Sequence, residues 1–315
     1  MKGINRREFL LAAGATGLFG GREAPGGADG AFDSELTVLI SDDHLNPGGY
    51  QCERMKFIVD EIMKLRPLPK NVVCFGDLAY LSGLPAEYAE ARELLKPIFD
   101  AGIRFTVGLG NHDRRKAFLE AFPEYRRRIL VDGYVVSEAD LGACDIIMLD
   151  TLHEPETEED HRRGWIVDGQ LKGAQFEWLK SEMARRRKPF LLAAHHPINE
   201  ITDGDWRAIK DLVVMTPACI GWIHGHDHVW KHNLLGASNR KWTDTLFKRS
   251  LCLPSTGHWG DIGFVKLRVS PGAARAELVI YDHYFPNFDT PRTMLDRDVV
   301  EEKRGAFMTF RWEGA

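Results

Sequence analysis

Beyond one short Ala/Gly/Leu-rich stretch ending near Gly21, this 315-residue chain lacks any apolar run that approaches membrane-spanning length. It has few cysteines. The five, at 52, 74, 144, 219 and 252, follow neither a metal-binding nor a disulfide spacing. That excludes a disulfide scaffold and a thiolate-built zinc site, and four of them (74, 144, 219, 252) lie in or beside apolar, strand-like runs and read as buried free thiols. A basic excess is missing too. Lys and Arg number 41 against 46 Asp and Glu, a formal charge of -5, which argues against general nucleic-acid binding. It says little about a phosphate substrate, because bound metal ions would set the sign of the field inside a pocket. There are no internal repeats and no second catalytic module. What remains is an ordinary globular composition, 44% hydrophobic and 28% charged, long enough for one large α/β domain or two small ones.

Residues 1–31 read as a segment outside the fold. Asn5-Arg6-Arg7-Glu8-Phe9-Leu10-Leu11 precedes the short apolar stretch, the layout of an export signal, and the paired arginines before Phe9-Leu10 resemble the twin-arginine signal of bacteria. Arg22 to Gly30 follows as a Gly/Ala-rich linker. That route carries folded proteins, so the expected location is the periplasm. The alternatives are a cytoplasmic protein with a basic tail, or one anchored by an uncleaved signal. Free thiols would survive export after folding in a reducing cytosol.

Strands and helices then alternate. Leu36 to Ile40, Val72 to Phe75 and Ile103 to Val107 are short apolar runs, separated by helical spacing over Arg54 to Leu65 (Phe57, Ile58, Ile62 and Leu65 on one side) and over Pro85 to Phe99. This pace predicts βαβ units and a mainly parallel sheet. Tyr134 to Val136 and Cys144 to Leu149 read as paired strands, and Leu152 to Arg163 as an acidic exposed loop. Gln170 to Arg187 is an amphipathic helix with Leu171, Phe176, Leu179 and Met183 on its buried face. Phe190 to Ala194, a helix over Trp206 to Met215, and Cys219 to Ile223 follow. Runs near Leu246–Leu253, Gly263–Val269 and Ala276–Tyr281 suggest a β-meander. The domain is read as 32–290, with 291–315 an extension that packs on it or completes it.

Five of the apolar runs end in polar motifs: Asp42-x-His44, Gly76-Asp77, Gly110-Asn111-His112-Asp113, His195-His196-Pro197 and Gly225-His226-x-His228. In parallel sheets, sites gather at the carboxyl ends of strands. Carboxylates, imidazoles and one amide form a ligand set for borderline divalent or trivalent cations, and i, i+2 spacing on an extended loop turns two side chains to one side. Two cations about 3.5–4 Å apart can hold a bridging hydroxide at neutral pH and clamp phosphate oxygens for in-line attack.

The ordered set, spanning Leu36 to Tyr281, resembles the calcineurin-like metallophosphoesterase superfamily. The resemblance implies a four-layer α/β/β/α sandwich with a dinuclear site of Mn, Fe or Zn. Carried over by position, Asp42, His44, Asp77 and His228 would hold one metal. Asp77 would bridge to a second metal bound by Asn111, His195 and His226. His112 is implied as the general acid for the leaving oxygen, and Asp113 as its orienting partner or as the cap of the following helix. Gly76-Asp77-Leu78-Ala79-Tyr80 also matches a purple acid phosphatase block, but those enzymes lack a histidine at the position of His44, so Tyr80 is read as supporting or packing. His196 and His224 are read as supporting neighbouring ligands or packing in the core, and His258-Trp259 as an ordinary loop or one that could line the pocket. Arg114-Arg115 could touch substrate phosphate, with a solvated helix face as the default; Arg185 to Arg187 offset a helix dipole. His153, His161, His232 and His283 are left as surface or structural. The motif set looks most like the bacterial phosphodiesterase branch, which implies a small phosphoester substrate. A phosphomonoesterase is the alternative within the class, and a non-catalytic metal-binding scaffold the alternative outside it. Oligomeric state is not legible.

Overall fold

The computed structural model describes residues 32–154, 166–236, 247–285, 294–295 and 297–313. The export-signal reading and most of the acidic loop, with His161, therefore lie outside the described residues. Phe32–Ala315 forms one compact unit. No helix among the described residues is long and apolar enough to cross a membrane.

Two sheets carry the fold. The first runs β12 (Met294–Leu295), β11 (Ala273–Phe285), β10 (Gly260–Ser270), β1 (Phe32–Ile40), β2 (Leu68–Cys74), β3 (Arg104–Val107), with β13 (Phe307–Arg311) also paired to β11. The second runs β4 (Ser137–Asp140), β5 (Asp145–Met148), β6 (Phe190–Ala193), β7 (Cys219–His224), β9 (Phe247–Cys252), β8 (Lys231–Gly236). In the first sheet the parallel strands β1, β2 and β3 run out to one edge with antiparallel β10 beyond β1, and in the second a parallel centre (β5, β6, β7, β9) is flanked by antiparallel β4 and β8.

The continuous apolar runs follow from burial on both faces. Leu39, Val73 and Phe75 turn inward to meet Ile146, Met148, Leu191, Ala193, Ile223 and Leu251 between the sheets. Their neighbours Val38, Ile40, Val72 and Cys74 turn outward beneath α1 (Tyr50–Ile62), α2 (Pro85–Leu94), α3 (Lys96–Asp100) and α4 (Arg115–Ala121). On the other side Ile147, Leu149, Leu192 and Trp222 pack on α5 (Gly173–Arg185) and α6 (Trp206–Met215). The result is the expected helix–sheet–sheet–helix order. A final helix, α7 (Arg297–Lys303), precedes β13.

Several elements differ from expectation. The first helix starts at Tyr50, where the extended Gly49 ends, and buries Met55, Ile58, Val59 and Ile62; Phe57 is exposed against Tyr281. Pro85 to Phe99 is two helices, since Pro97 offers no N–H to the backbone. The partner of β5 is Ser137–Asp140, not Tyr134–Val136. The polar β4 sequence is compensated by Arg186 on Glu138 and Lys188 on Asp140, a pairing no apolar count registers. The meander is divided. β9 joins the second sheet parallel to β7, while β10 and β11 form a hairpin in the first around Pro271-Gly272.

Candidate metal centre

The five motifs meet where the carboxyl ends of β1, β2 and β3 face those of β6 and β7. The two halves are stitched across the gap: the His226 amide donates to the Asp42 carboxylate at 3.1 Å, and His195 Nδ1 lies 2.9 Å from the Phe75 carbonyl. Among the described residues, five non-glycine residues adopt left-handed backbone: Asp42, His44, Asp77, His226 and His228. Each such residue costs of order 1–3 kcal/mol and persists only where its surroundings over-determine it. All five belong to the predicted ligand set.

The ring nitrogens show what the strain achieves. His44 Nδ1 lies 3.2 Å from the Tyr80 carbonyl, His195 Nδ1 2.9 Å from that of Phe75, and His228 Nδ1 3.1 Å from that of Trp259. Donation from Nδ1 leaves each Nε2 to face the site as an acceptor. His195 Nε2 then stands 3.2 Å from Asn111 Oδ1, 3.1 Å from His226 Nδ1 and 3.1 Å from Asp77 Oδ2. A second group converges beside it. His228 Nε2 is 3.3 Å from both His44 Nε2 and Asp42 Oδ1, and Asp77 Oδ2 is 3.5 Å from His44 Nε2. One oxygen of Asp77 is thus common to both groups.

These residues fit a metal. Ligands about 2.0–2.1 Å from a cation stand roughly 3.0–3.4 Å from one another, and atoms whose lone pairs aim at a shared point repel unless a cation or proton lies between them. Without metal the proton takes that place: burial opposes it, but Asp77 and Asp42 outweigh burial and push His195 up to about 9. Both carboxylates stay ionised. Burial would raise them, yet His228 holds Asp42, and His195 with His112 holds Asp77, well below the ordinary range. Metal uptake would displace the His195 proton.

The surrounding shell corrects two readings. Asp113 is not a helix cap, since α4 is preceded by Arg114 with no side-chain cap. Its buried carboxylate instead accepts the amides of Leu78, Ala79 and Gly110 and the Tyr88 hydroxyl, tying the β2 loop to the β3 loop. Arg115 is no solvated face. It forks onto the fully buried Asp150 (2.7 and 2.9 Å) and pairs with Glu154 at 2.8 Å. Cys52 is buried and free like the other four cysteines.

Tyr80 supports the site through its carbonyl, on His44. His196 is spanned by Thr151 Oγ1 (2.8 Å) and the Val167 carbonyl (2.9 Å), with its ring against those of His195 and His226. His224 is buried and faces the Gly225 carbonyl, held down to about 4 by burial. His258 does line the pocket, 4.5 Å from the His44 ring, and Trp259 stacks on His228 at 4.1 Å. His112 borders the same space, its ring edge-on to His44 and its amide donating to Asp77 Oδ1. His283 is buried on Asp261 beside Lys303. Sequence reasoning passed over the pocket-rim residues Leu81 and Val167. It also passed over Glu200, 3.2 Å from His226, although this is the first carboxylate after His-His-Pro.

The cavity above the two ligand groups measures about 550 Å³ and is bordered by His44, Asp77, Asn111, His112, His226 and His228, with Tyr80, Leu81, Val167, Asp227, His258 and Trp259. No lysine or arginine is among them.

Comparison with known proteins agrees with this geometry. Residues 36–230 match the model of the calcineurin-like phosphoesterase family. A probable cyclic nucleotide phosphodiesterase of Rhodopseudomonas palustris is 30% identical over 235 residues, 72% of this chain and 75% of that protein. A second protein of that description, from Psychrobacter arcticus, is 26% identical over 175 residues, 54% and 57% of the two chains. Among solved structures, PhoD superposes with a TM-score of 0.55 at 13% identity, covering 89% of this chain and 70% of PhoD, a likeness of fold. Strand-end ligands, paired sheets and the family match converge on one conclusion: the chain belongs to the calcineurin-like phosphoesterases and is a hydrolase of phosphoric esters.

Proposed function

We propose that this chain is a dinuclear metal-dependent phosphodiesterase acting on small organic diesters, with nucleoside cyclic phosphates the first class to examine. Asp42, His44 and His228 would hold one cation, Asn111, His195 and His226 the other, and Asp77 both. When bound, the cations supply a nucleophile from water at neutral pH and offset charge on the phosphoryl oxygens. The protein's own groups do the rest. Asp42 and Asp77 remain ionised in a dry site, and the carbonyls of Tyr80, Phe75 and Trp259 keep three imidazoles in the ligating tautomer. His112, on the cavity wall beside the shared carboxylate, would give a proton to the departing oxygen.

The observation that carries the diester reading is the cavity lining. A monoester arrives as a dianion with three unesterified oxygens, and enzymes that take it commonly add cationic side chains. Among the described residues no lysine or arginine borders the cavity. Nearby Arg54 is turned away, onto the His258 carbonyl, Asp282 and the Tyr284 ring. In place of cations the rim offers Leu81 and Val167, 39% and 48% exposed, with Tyr80 and Trp259, surfaces suited to the second organic group of a diester. The volume suits a nucleotide-sized ligand, and the two bacterial relatives carry cyclic nucleotide phosphodiesterase in their descriptions.

The test is hydrolysis of bis(p-nitrophenyl) phosphate beside p-nitrophenyl phosphate by manganese-loaded protein, with Asp77→Ala as blank. Diester preference with a dead blank is expected; monoester preference overturns the reading. His112→Ala should slow cyclic nucleotides, with their poor leaving group, far more than nitrophenyl esters. Equal slowing would remove His112 as the acid.

A further inference from the structure

The four histidines that converge on the two ligand groups are not held alike. Three give Nδ1 to backbone carbonyls and present Nε2. His226 is reversed. Its Nδ1 faces His195 Nε2 at 3.1 Å, and its Nε2 lies 3.2 Å from Glu200 Oε2. Among the described residues no backbone carbonyl takes the place of that carboxylate in the contacts of His226. We propose that Glu200 is the positioning residue of the second metal position: its carboxylate accepts the Nε2–H of His226, which leaves Nδ1 unprotonated and aimed at the cation. The inference rests on the dinuclear reading.

The local structure is built to deliver this contact. Glu200 closes a 3-10 turn, Ile198–Glu200, entered through the extended Pro197 directly after His195-His196. Its amide donates to the Pro197 carbonyl at 3.0 Å, and its carbonyl accepts the Gly169 amide at 2.8 Å, so the backbone is pinned on both sides. One six-residue segment therefore supplies a ligand, His195, and the support of a neighbouring ligand, His226, from another strand end. His226 needs such support. Its backbone is left-handed (φ 73°), and its side chain is more exposed than those of His44, His195 and His228. Lys231, which lines the same surface pocket as Glu200, is paired with Asp227 at 2.5 Å. Carboxylates that hold the far nitrogen of a metal histidine fix its tautomer and ring orientation, and their loss typically weakens metal binding about 10–100-fold.

The test is calorimetric titration of metal-free protein with manganese alone, for wild type, Glu200→Ala and Glu200→Gln. Two manganese sites are expected in wild type. In Glu200→Ala one site should be unchanged and the other weaker by about 10–100-fold. Glu200→Gln keeps a carbonyl acceptor at the same reach and should recover most of the loss. Thermal unfolding of the metal-free variants should match wild type, which separates positioning from a general structural role. Two-site binding by Glu200→Ala with wild-type affinities overturns the proposal alone, as does a glutamine variant no better than alanine. A wild type that takes up fewer than two manganese ions overturns the dinuclear reading, and this one with it.

Discussion

Adding one methyl group to Gly110 should disable the site without altering the chemistry of any candidate ligand. A Cβ there would stand 2.2 Å from Asp77 Oδ1, 2.6 Å from the Asp77 amide nitrogen and 2.8 Å from Asp77 Cγ. Real contacts of this kind do not fall below 3.0 Å, so the carboxylate oxygen must retreat by at least ~0.8 Å, while metal–ligand distances tolerate only about ±0.2 Å. The backbone cannot absorb the shift cheaply. The Asp77 carbonyl accepts the His44 amide at 2.8 Å, and Asp77 Oδ1 accepts the His112 amide at 2.9 Å. Moving Asp77 would therefore disturb the oxygen common to both ligand groups. A displacement near 1 Å at a reacting centre costs on the order of 100-fold in rate. The expected result for Gly110→Ala is loss of at least one manganese per chain and about a 100-fold fall in diester hydrolysis. Metal content after gel filtration and initial rates at saturating manganese would measure both. Gly108→Ala is the control. Its Cβ would meet Met148 Sδ at 2.5 Å and Cγ at 2.9 Å, atoms of a core side chain between the sheets and of no candidate ligand, so metal content should hold. Full metal occupancy and near wild-type rates in Gly110→Ala would refute the claim that the Asp77 position is fixed by its contact with the β3 loop.

Two further outcomes concern stability. Arg115→Ala leaves the buried Asp150 carboxylate without its ion pair, so unfolding in urea should show a loss of about 3–5 kcal/mol, and a loss below about 1 kcal/mol would mean that the Val135 and Leu152 amides suffice. Asp43, fully buried with hydrogen bonds from Thr256 and Cys74, is pushed by burial from 3.8 up to about 7. Because the folded state holds this proton more tightly than the unfolded chain, the contribution is fully present below about pH 4 and lost as pH rises through about 7. At about 1.36 kcal/mol per unit, the loss is about 4 kcal/mol. Metal-free wild type should therefore weaken by that order between pH 4 and 8 relative to Asp43→Asn, and parallel urea curves for the two would contradict it.

The ligand set was legible in the sequence because each part of it is local. An apolar run buried on both faces, then a glycine or a polar corner, then side chains of a fixed type at i, i+2, marks a strand end with chemistry whatever lies beyond it. Asp42, His44, Asp77, Asn111, His195, His226 and His228 all stand in motifs read in this way, with their candidate ligand roles supplied by the resemblance, and the structure brings them together. The partnerships were not legible. That Asp113 clamps Leu78 and Ala79, that Arg115 meets Asp150, that Glu200 meets His226, and that β9 lies beside β7 rather than β10, all join positions about 25 or more residues apart. No periodicity connects such pairs, because each is selected by which strands the fold lays side by side or which faces it brings together. Residue chemistry and spacing determined what the site is made of. Only the tertiary arrangement of strands and sheets decided which groups hold it in shape.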